Sequence, residues 1–534
     1  VDALFWLAAG ALALYAFAFV SLVLRVRGMV LRRPVHRVLP ADEVPAWLST
    51  FAAPAVERLT ALGFRPFGAL ASVAMDRQSD DETVDLVFHE PESGTYAFVY
   101  LPPTVPGARP LSVDLATWST EGSLRLTLAQ SPGPTHRDVP GTTVVGLPEL
   151  SLGRRFARHV FETAAMTART LEPGEMAAEL TRRNGAALSA ALEAGEVCAR
   201  PGGVFGHTLL GTARLVGRIL QGLLRPGGAG GVFHGAYGPD RVGEPAPPEH
   251  QAVVHHELSC LAAGRRRPGR ALLVFVLSLA LFVLSIAGRV DALVLPIIVG
   301  VLLLHELGHF AAMRAFGYRD TSVFFLPFLG AAAAGSKPEA SVGERAIVLL
   351  AGPVPGLLLG LWWFHAPVGA VGGTAAVILV AVNLSNLLPV SPLDGGRLVE
   401  RVFFASSPGG ALLFKAASAL LFIGTGLFFG VGLVTVIGIV VAAGLPVGLR
   451  VARVAAHWDS PNPPADRAAL YALVDGAGYA ALRFGRKVAL VQALEQRFAA
   501  PPSSPAARWA WFAVYLALLA AGLYGGRDVF AAFG

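Results

Sequence analysis

Two histidines and a glutamate, His305-Glu306-Leu307-Gly308-His309, sit inside the apolar stretch Val290–Ala315. Ionisable groups are costly in hydrocarbon and generally mark a functional site when they occur there. On a helix, residues four apart share a face, so His305 and His309 can grip one metal ion. Glu306, next to the first of them, is then placed as a base for a water activated by that metal. The ordinary alternative is a solvated helix face, but Val290–Ala315 offers no evident aqueous side and buried charge needs a partner. The chemistry to expect is metal-assisted hydrolysis within a membrane.

Two histidines fall short of the three protein ligands usual in a catalytic zinc site. A candidate third stands near the end of a later apolar segment, in Asn386-Leu387-Leu388-Pro389-Val390-Ser391-Pro392-Leu393-Asp394-Gly395-Gly396-Arg397. Asp394 follows prolines that stop a helix and precedes glycines that permit a sharp turn. An Asp-Gly pair is also an ordinary turn or helix-cap element, so the spacing leaves both roles open.

Together the two motifs resemble the site-2 protease family of intramembrane zinc metallopeptidases, whose pattern is H-E-x-x-H in one span and N-x-x-P-x-x-x-L-D-G in a later one. His305, Glu306 and His309 meet the first part, and Asn386, Pro389, Leu393, Asp394 and Gly395 the second. Ala351-Gly352-Pro353 looks like the family's A-G-P segment, and Phe325–Gly335 falls where such proteins place a hairpin beside the active site. The resemblance covers residues 270–400. It implies zinc held by His305, His309 and Asp394, with Glu306 as general base and proton shuttle. It also implies that Asn386 holds the substrate backbone or orients the reacting carbonyl. The implied substrate is a transmembrane protein, unwound locally because a helical peptide bond is shielded by its own turn; strand addition to the hairpin would serve this.

Composition suits a membrane enzyme: 54% of residues are hydrophobic and 15% charged, with a mean hydropathy of +0.56. The net charge of +6 is spread around apolar segments, which argues for membrane topology and against nucleic-acid binding. Two cysteines, Cys198 and Cys260, supply no disulfide framework. Candidate spans are Leu4–Leu24, Ala271–Ala287, Leu293–Ala315, Ala346–Phe364, Val371–Leu388, Ala411–Phe428, Val431–Leu449 and Trp509–Tyr524. Ala411–Leu449 also reads as one tilted span with an interfacial piece, although its glycines favour a hairpin. Arg25, Arg27, Arg32 and Arg33 follow the first span, and Arg265, Arg266, Arg267 and Arg270 precede the second. Both ends of the intervening insert are therefore expected on the cytoplasmic side. The same rule puts both metal motifs towards the cytoplasmic half of a membrane, which the Arg-rich composition suggests is a bacterial inner membrane. The first span carries its arginines behind it, unlike a cleaved signal peptide.

The expected fold is thus a polytopic α-helical membrane protein of about eight spans with an inserted cytoplasmic α+β domain. Its parts are an N-terminal anchor (1–27), the α+β domain (28–224), a Gly/Pro-rich and basic linker (225–269) and the metalloprotease core (270–400). Additional spans (401–450), a cytoplasmic segment (451–508) and a last span with tail (509–534) follow. In the insert, Val84–Phe88, Thr95–Leu101, Leu111–Trp118 and Leu124–Ala129 read as strands. Val44–Leu62, Phe156–Ala168, Glu175–Glu193 and Thr208–Leu224 read as helices, and one more is expected around Ala480–Phe498. Strands grouped before helices predict an antiparallel sheet. His234, His250, His255 and His256 invite a second metal site but read as solvated histidines, and no catalytic set appears in this domain. Its regulator or ligand, and the oligomeric state, are not legible. A catalytically silent scaffold of the same fold and a metal transporter are the competing functions; an intact base between two ligands argues against both.

Overall fold

The structure is a computed structural model. It describes residues 19–531 except 102–111, 130–131, 133–135, 225–245, 264–267, 327–329, 367–368, 405–406, 500–503 and positions 21, 77, 80, 149, 289 and 461. The expected first span lies almost wholly outside the described residues, as do His234 and most of the linker. Two compact units emerge: one comprises Leu14–Arg266 with Ala465–Ala489, the other chiefly Arg267–Pro464 with Leu490–Gly534.

The first unit is built on a seven-stranded sheet. Its strands are β2 (Val35–Val38), β3 (Arg65–Val73), β4 (Thr83–Glu90), β5 (Thr95–Tyr100), β6 (Ser112–Trp118), β7 (Leu124–Leu128) and β8 (Thr142–Gly146), hydrogen-bonded in that order. All pairs are antiparallel except β7 with β8. The four expected strands are β4 to β7. β3, with the sequence RPFGALASV, lacks the β-branched and aromatic density that advertises a strand and is stabilised by its neighbours on both sides. Helix α1 (Ala46–Ala61) lays Leu48, Ala52 and Leu59 on one face, against Phe88, Val99 and Leu115. α2 (Leu152–Thr163), which starts four residues before its expected position, adds Leu152 and Phe156 there. α3 (Pro173–Glu193) covers the other face, where Met176 and Ala177 meet Tyr96, Phe98 and Trp118. A small sheet of β1 (Val30–Leu31), β10 (Val204–His207) and β9 (Val197–Arg200) precedes α4 (Leu209–Leu224).

The segment expected as linker ends in a helix, α5 (Pro248–Ala263). Its Glu257 carboxylate accepts from the backbone N–H groups of Gln78 and Ser79 and from the Ser79 hydroxyl. His250 and His255, expected to be solvated, are instead buried, and His255 Nδ1 lies 3.2 Å from the Tyr471 hydroxyl. Tyr471 belongs to the helix Arg467–Val474, and the buried Lys487 Nζ bonds both Gln251 of α5 and Asp475. Polar residues that look like a solvated loop in sequence are thus partners across some 220 residues of chain, as the Tyr471–His255 separation of 216 shows.

The second unit is helical. It contains α6 (Pro268–Ile286), α7 (Val294–Ala315), α8 (Val342–Ala351), α9 (Pro353–His365), α10 (Gly369–Asn386), α11 (Asp394–Phe403), α12 (Pro408–Phe428), α13 (Gly432–Ala455) and α14 (Pro505–Ala531). Among the described residues, six helical segments are long and apolar enough to cross a membrane: Val294–Ala315, Val342–His365, Gly369–Asn386, Gly409–Phe428, Gly432–Ala455 and Pro505–Val529. The chain is a polytopic membrane protein with a β-sheet domain. Leu413, Leu427, Phe428 and Val440 are exposed, as lipid-facing side chains should be. Ala411–Leu449 resolves into two helices, α12 and α13, turning at Gly430 with φ 68°. Between α7 and α8 runs a hairpin of β11 (Arg319–Leu326) and β12 (Gly330–Ser336), a two-stranded antiparallel sheet.

Candidate metal centre

α7 carries His305, Glu306 and His309, all buried although the helix is apolar along most of its length. Helical spacing places the two imidazoles one above the other, with ring centroids 4.8 Å apart. Asp394 opens α11, where the helix dipole favours a carboxylate in the first turn. The turn between α10 and α11 brings it to the histidines: Asp394 Oδ2 lies 3.1 Å from both His305 Nε2 and His309 Nε2. The two Nε2 atoms are themselves 3.1 Å apart. Among the described residues this is the one group of three metal-ligating side chains close enough to share an ion.

Hydrogen bonds on the far side of each ring settle which atoms face inward. His309 Nδ1 lies 2.7 Å from the Val348 carbonyl, which can only accept, so Nδ1 carries the proton and Nε2 presents its lone pair. His305 Nδ1 lies 2.8 Å from Asn383 Oδ1. Asn383 donates its Nδ2 to the Leu379 carbonyl at 2.8 Å, which fixes the amide with its oxygen towards His305. His305 therefore also offers Nε2. With both imidazoles neutral, two lone pairs and a carboxylate oxygen converge on one point, an arrangement that a cation satisfies. For a tetrahedral zinc ion with bonds of about 2.0–2.1 Å, ligand atoms stand roughly 3.3 Å apart, close to what is seen. The donor set of two imidazoles and one carboxylate suits zinc.

Small residues make this approach possible. A Cβ at Gly308 would run into the Ala351 carbonyl, and one at Gly352 into the His309 ring. The A-G-P segment thus matters because α7 and the α8–α9 junction touch there, and Pro353 starts α9 without a donor to satisfy. Glu306 lies against the backbone N–H of Ala333 in β12, which puts the hairpin beside the base.

The structure brings together His305, His309 and Asp394, with Glu306 adjacent on the same helix. Asn386 is placed differently: its Nδ2 bonds the Val382 carbonyl of its own helix at 3.0 Å, and among the described bonds its oxygen has no partner. Sequence reasoning missed Asn383. A fully buried asparagine in an apolar span three residues before Asn386 was the available signal, because a buried amide needs a partner.

Comparison with known proteins agrees with this geometry. Residues 293–372 match Peptidase family M50. A stretch of 128 residues is 33% identical to Stage IV sporulation protein FB of Bacillus subtilis (strain 168), covering 23% of this chain and 44% of that protein. Within the membrane unit, residues 293–372 are thus similar to Peptidase family M50. Members of Peptidase family M50 are zinc-dependent metallopeptidases, so the family and the donor set agree. The chain spans less than half the length of this curated relative. Among solved structures it is similar to the Site-2 Protease from Methanocaldococcus jannaschii, with 20% identity over 33% of this chain and 87% of that one and a TM-score of 0.26. At that score the likeness does not bear on the arrangement of the helices.

Proposed function

We propose that this chain is an intramembrane zinc metalloendopeptidase that hydrolyses peptide bonds within or near transmembrane segments of other membrane proteins. The observation that carries the proposal is the convergence of His305 Nε2, His309 Nε2 and Asp394 Oδ2 at 3.1 Å, with Glu306 beside them in an apolar helix. Those three side chains would hold zinc, which supplies polarisation of the scissile carbonyl and acidification of a water molecule. Glu306 takes the proton from the attacking water and delivers it to the leaving amine. Asn383 and the Val348 carbonyl keep both imidazoles turned inward. β12 is small-residue throughout (GAAAAGS) and belongs to a sheet of two strands, so an unwound substrate can add along its edge close to Glu306. Asn386, with an uncommitted side-chain oxygen, is assigned to the substrate backbone.

With 4–24 and 268–286 counted, the chain crosses a bacterial inner membrane eight times, and its arginine distribution puts the β-sheet domain and the metal end of α7 on the cytoplasmic side. That domain presents or screens substrates. Regulated intramembrane proteolysis and clearance of membrane remnants both fit such an enzyme.

The test is metal content alongside turnover of a transmembrane peptide. Purified protein should hold one zinc ion, and His305→Ala, His309→Ala or Asp394→Ala should lose it. Glu306→Gln should keep the metal while cleavage falls on the order of 10²- to 10⁴-fold. Wild-type turnover by Glu306→Gln would remove the mechanism, and zinc held at undiminished affinity after Asp394→Ala would remove the third ligand.

A further inference from the structure

At the base of the first apolar stretch, arginines from separate parts of the chain gather around one carboxylate. Residues 22–28 are helical, and Val26 packs against Leu215 and Val216 of α4, which fixes where the cluster lies. Glu196 pairs with Arg137 and, at 2.7 Å, with Arg214. Arg218, one turn beyond Arg214 on α4, reaches the His136 carbonyl at 3.4 Å through one nitrogen, while its Nε is buried without a partner. His207, at the end of β10 and 3% exposed, has both ring nitrogens buried without a partner. Burial pushes that imidazole down to about 4, and the nearby Arg137 and Arg200 act in the same direction. Beside these groups opens a cleft of about 410 Å³ lined by Glu196, Arg214, Gly217, Arg218 and Gln221.

Topology alone does not account for this cluster. Arginines that set membrane orientation sit in sequence next to a span and keep their guanidinium groups in water. Here Arg137, Arg214 and Arg218 come from positions more than a hundred residues along the chain from that stretch; two of these guanidinium groups share the Glu196 carboxylate, and the third bonds the neighbouring His136 carbonyl. Buried polar nitrogens are seldom left unbonded, and Arg218, whose Nε has no partner among the described residues, is one of the residues lining the cleft. The guanidinium fork matches a phosphate group in shape and charge.

We propose that this cleft binds a phosphate group through Arg214 and Arg218, presented either by a phospholipid headgroup or by a free phosphoanion. Glu196, paired with Arg214, competes with the ligand for it. The site belongs to the β-sheet unit and is independent of the intramembrane metal chemistry.

Two arms separate the sources, both using the full chain. In neutral detergent, titration calorimetry measures binding of inorganic pyrophosphate. In nanodiscs of mixed phosphatidylcholine and phosphatidylglycerol, mass spectrometry of the purified protein reads which lipid is retained. Binding in the first arm assigns a free phosphoanion; retention of phosphatidylglycerol without pyrophosphate binding assigns a headgroup. In the arm that binds, Arg214→Gln with Arg218→Gln should weaken the interaction at least about tenfold. Arg154→Gln with Arg158→Gln on α2, which removes the same charge elsewhere, should leave it within about twofold. Glu196→Gln should tighten binding, a gain that misfolding cannot produce. Absence of binding in both arms, equal weakening by the α2 pair, or no gain from Glu196→Gln would overturn the proposal.

Discussion

His305 and His309 are held by different kinds of acceptor, an amide oxygen and a main-chain carbonyl. The distinction is testable, because only the first can be changed by substitution. Asn383→Ala removes the acceptor for His305 Nδ1 and frees the ring to turn, and loss of such a partner typically lowers metal affinity by about 10–100-fold. Asn383→Asp keeps an oxygen in place and should retain most of it. Metal competition with a chelator of known affinity measures both; equal affinity for the alanine variant and the wild type would show that the amide does not position the ring. Proximity to Asp394 made Asn386 the asparagine to notice in the sequence. Which of two asparagines one turn apart faces a given histidine depends on helix rotation, and rotation is set by packing.

Among the elements, α2 illustrates how a polar side chain can lock a helix onto a sheet. Its His159 is fully buried, with Nε2 2.9 Å from the Thr117 hydroxyl on β6 and Nδ1 2.7 Å from the Thr127 hydroxyl on β7. Burial pushes this imidazole down to about 4, with Arg125 adding to the effect. An unfolded histidine binds its proton near pH 6.5, so between about pH 6.5 and 4 the unfolded state carries more protons than the folded one. Stability of this region is therefore complete above about pH 6.5 and falls as pH is lowered towards 4, levelling off below. Hydrogen exchange of the β6 and β7 amides, corrected for intrinsic rates, should show protection declining over that window. His159→Gln should flatten the decline, and an unchanged profile in that variant would assign it to other groups.

For the whole molecule, sidedness is the property to measure. Cys198 in β9 is exposed and serves as a native reporter for the β-sheet unit. In sealed cells it should resist an impermeant thiol reagent and react once the inner face is opened, as should a cysteine placed at the exposed Glu121. A cysteine at the exposed Gly369, with Cys198 and Cys260 replaced by serine, should react from outside. Ser79 is unsuitable as a probe because it is buried beneath Glu257. Labelling of Cys198 from outside would invert the orientation.

The sequence by itself determined what depends on residue type and short spacing. Two histidines four apart in hydrocarbon leave few uses besides a metal, and apolar length alone marked the six helical segments among the described residues that are long enough to cross a membrane. Strand-like runs were enough for β4 to β6, and the alternation of Leu124, Leu126 and Leu128 for β7. Tertiary structure decided whatever joins distant segments. It brought Asp394 to the histidines, chose Asn383 over Asn386, and joined Arg137 and the α4 residue Arg214 at Glu196. It also turned the end of an apparent linker into α5, which packs against residues 216 to 236 positions away through His255 and Gln251. The reason is physical: hydropathy and turn chemistry are local, whereas the partner that satisfies a buried polar group is chosen by the packing of elements that no short window of sequence contains.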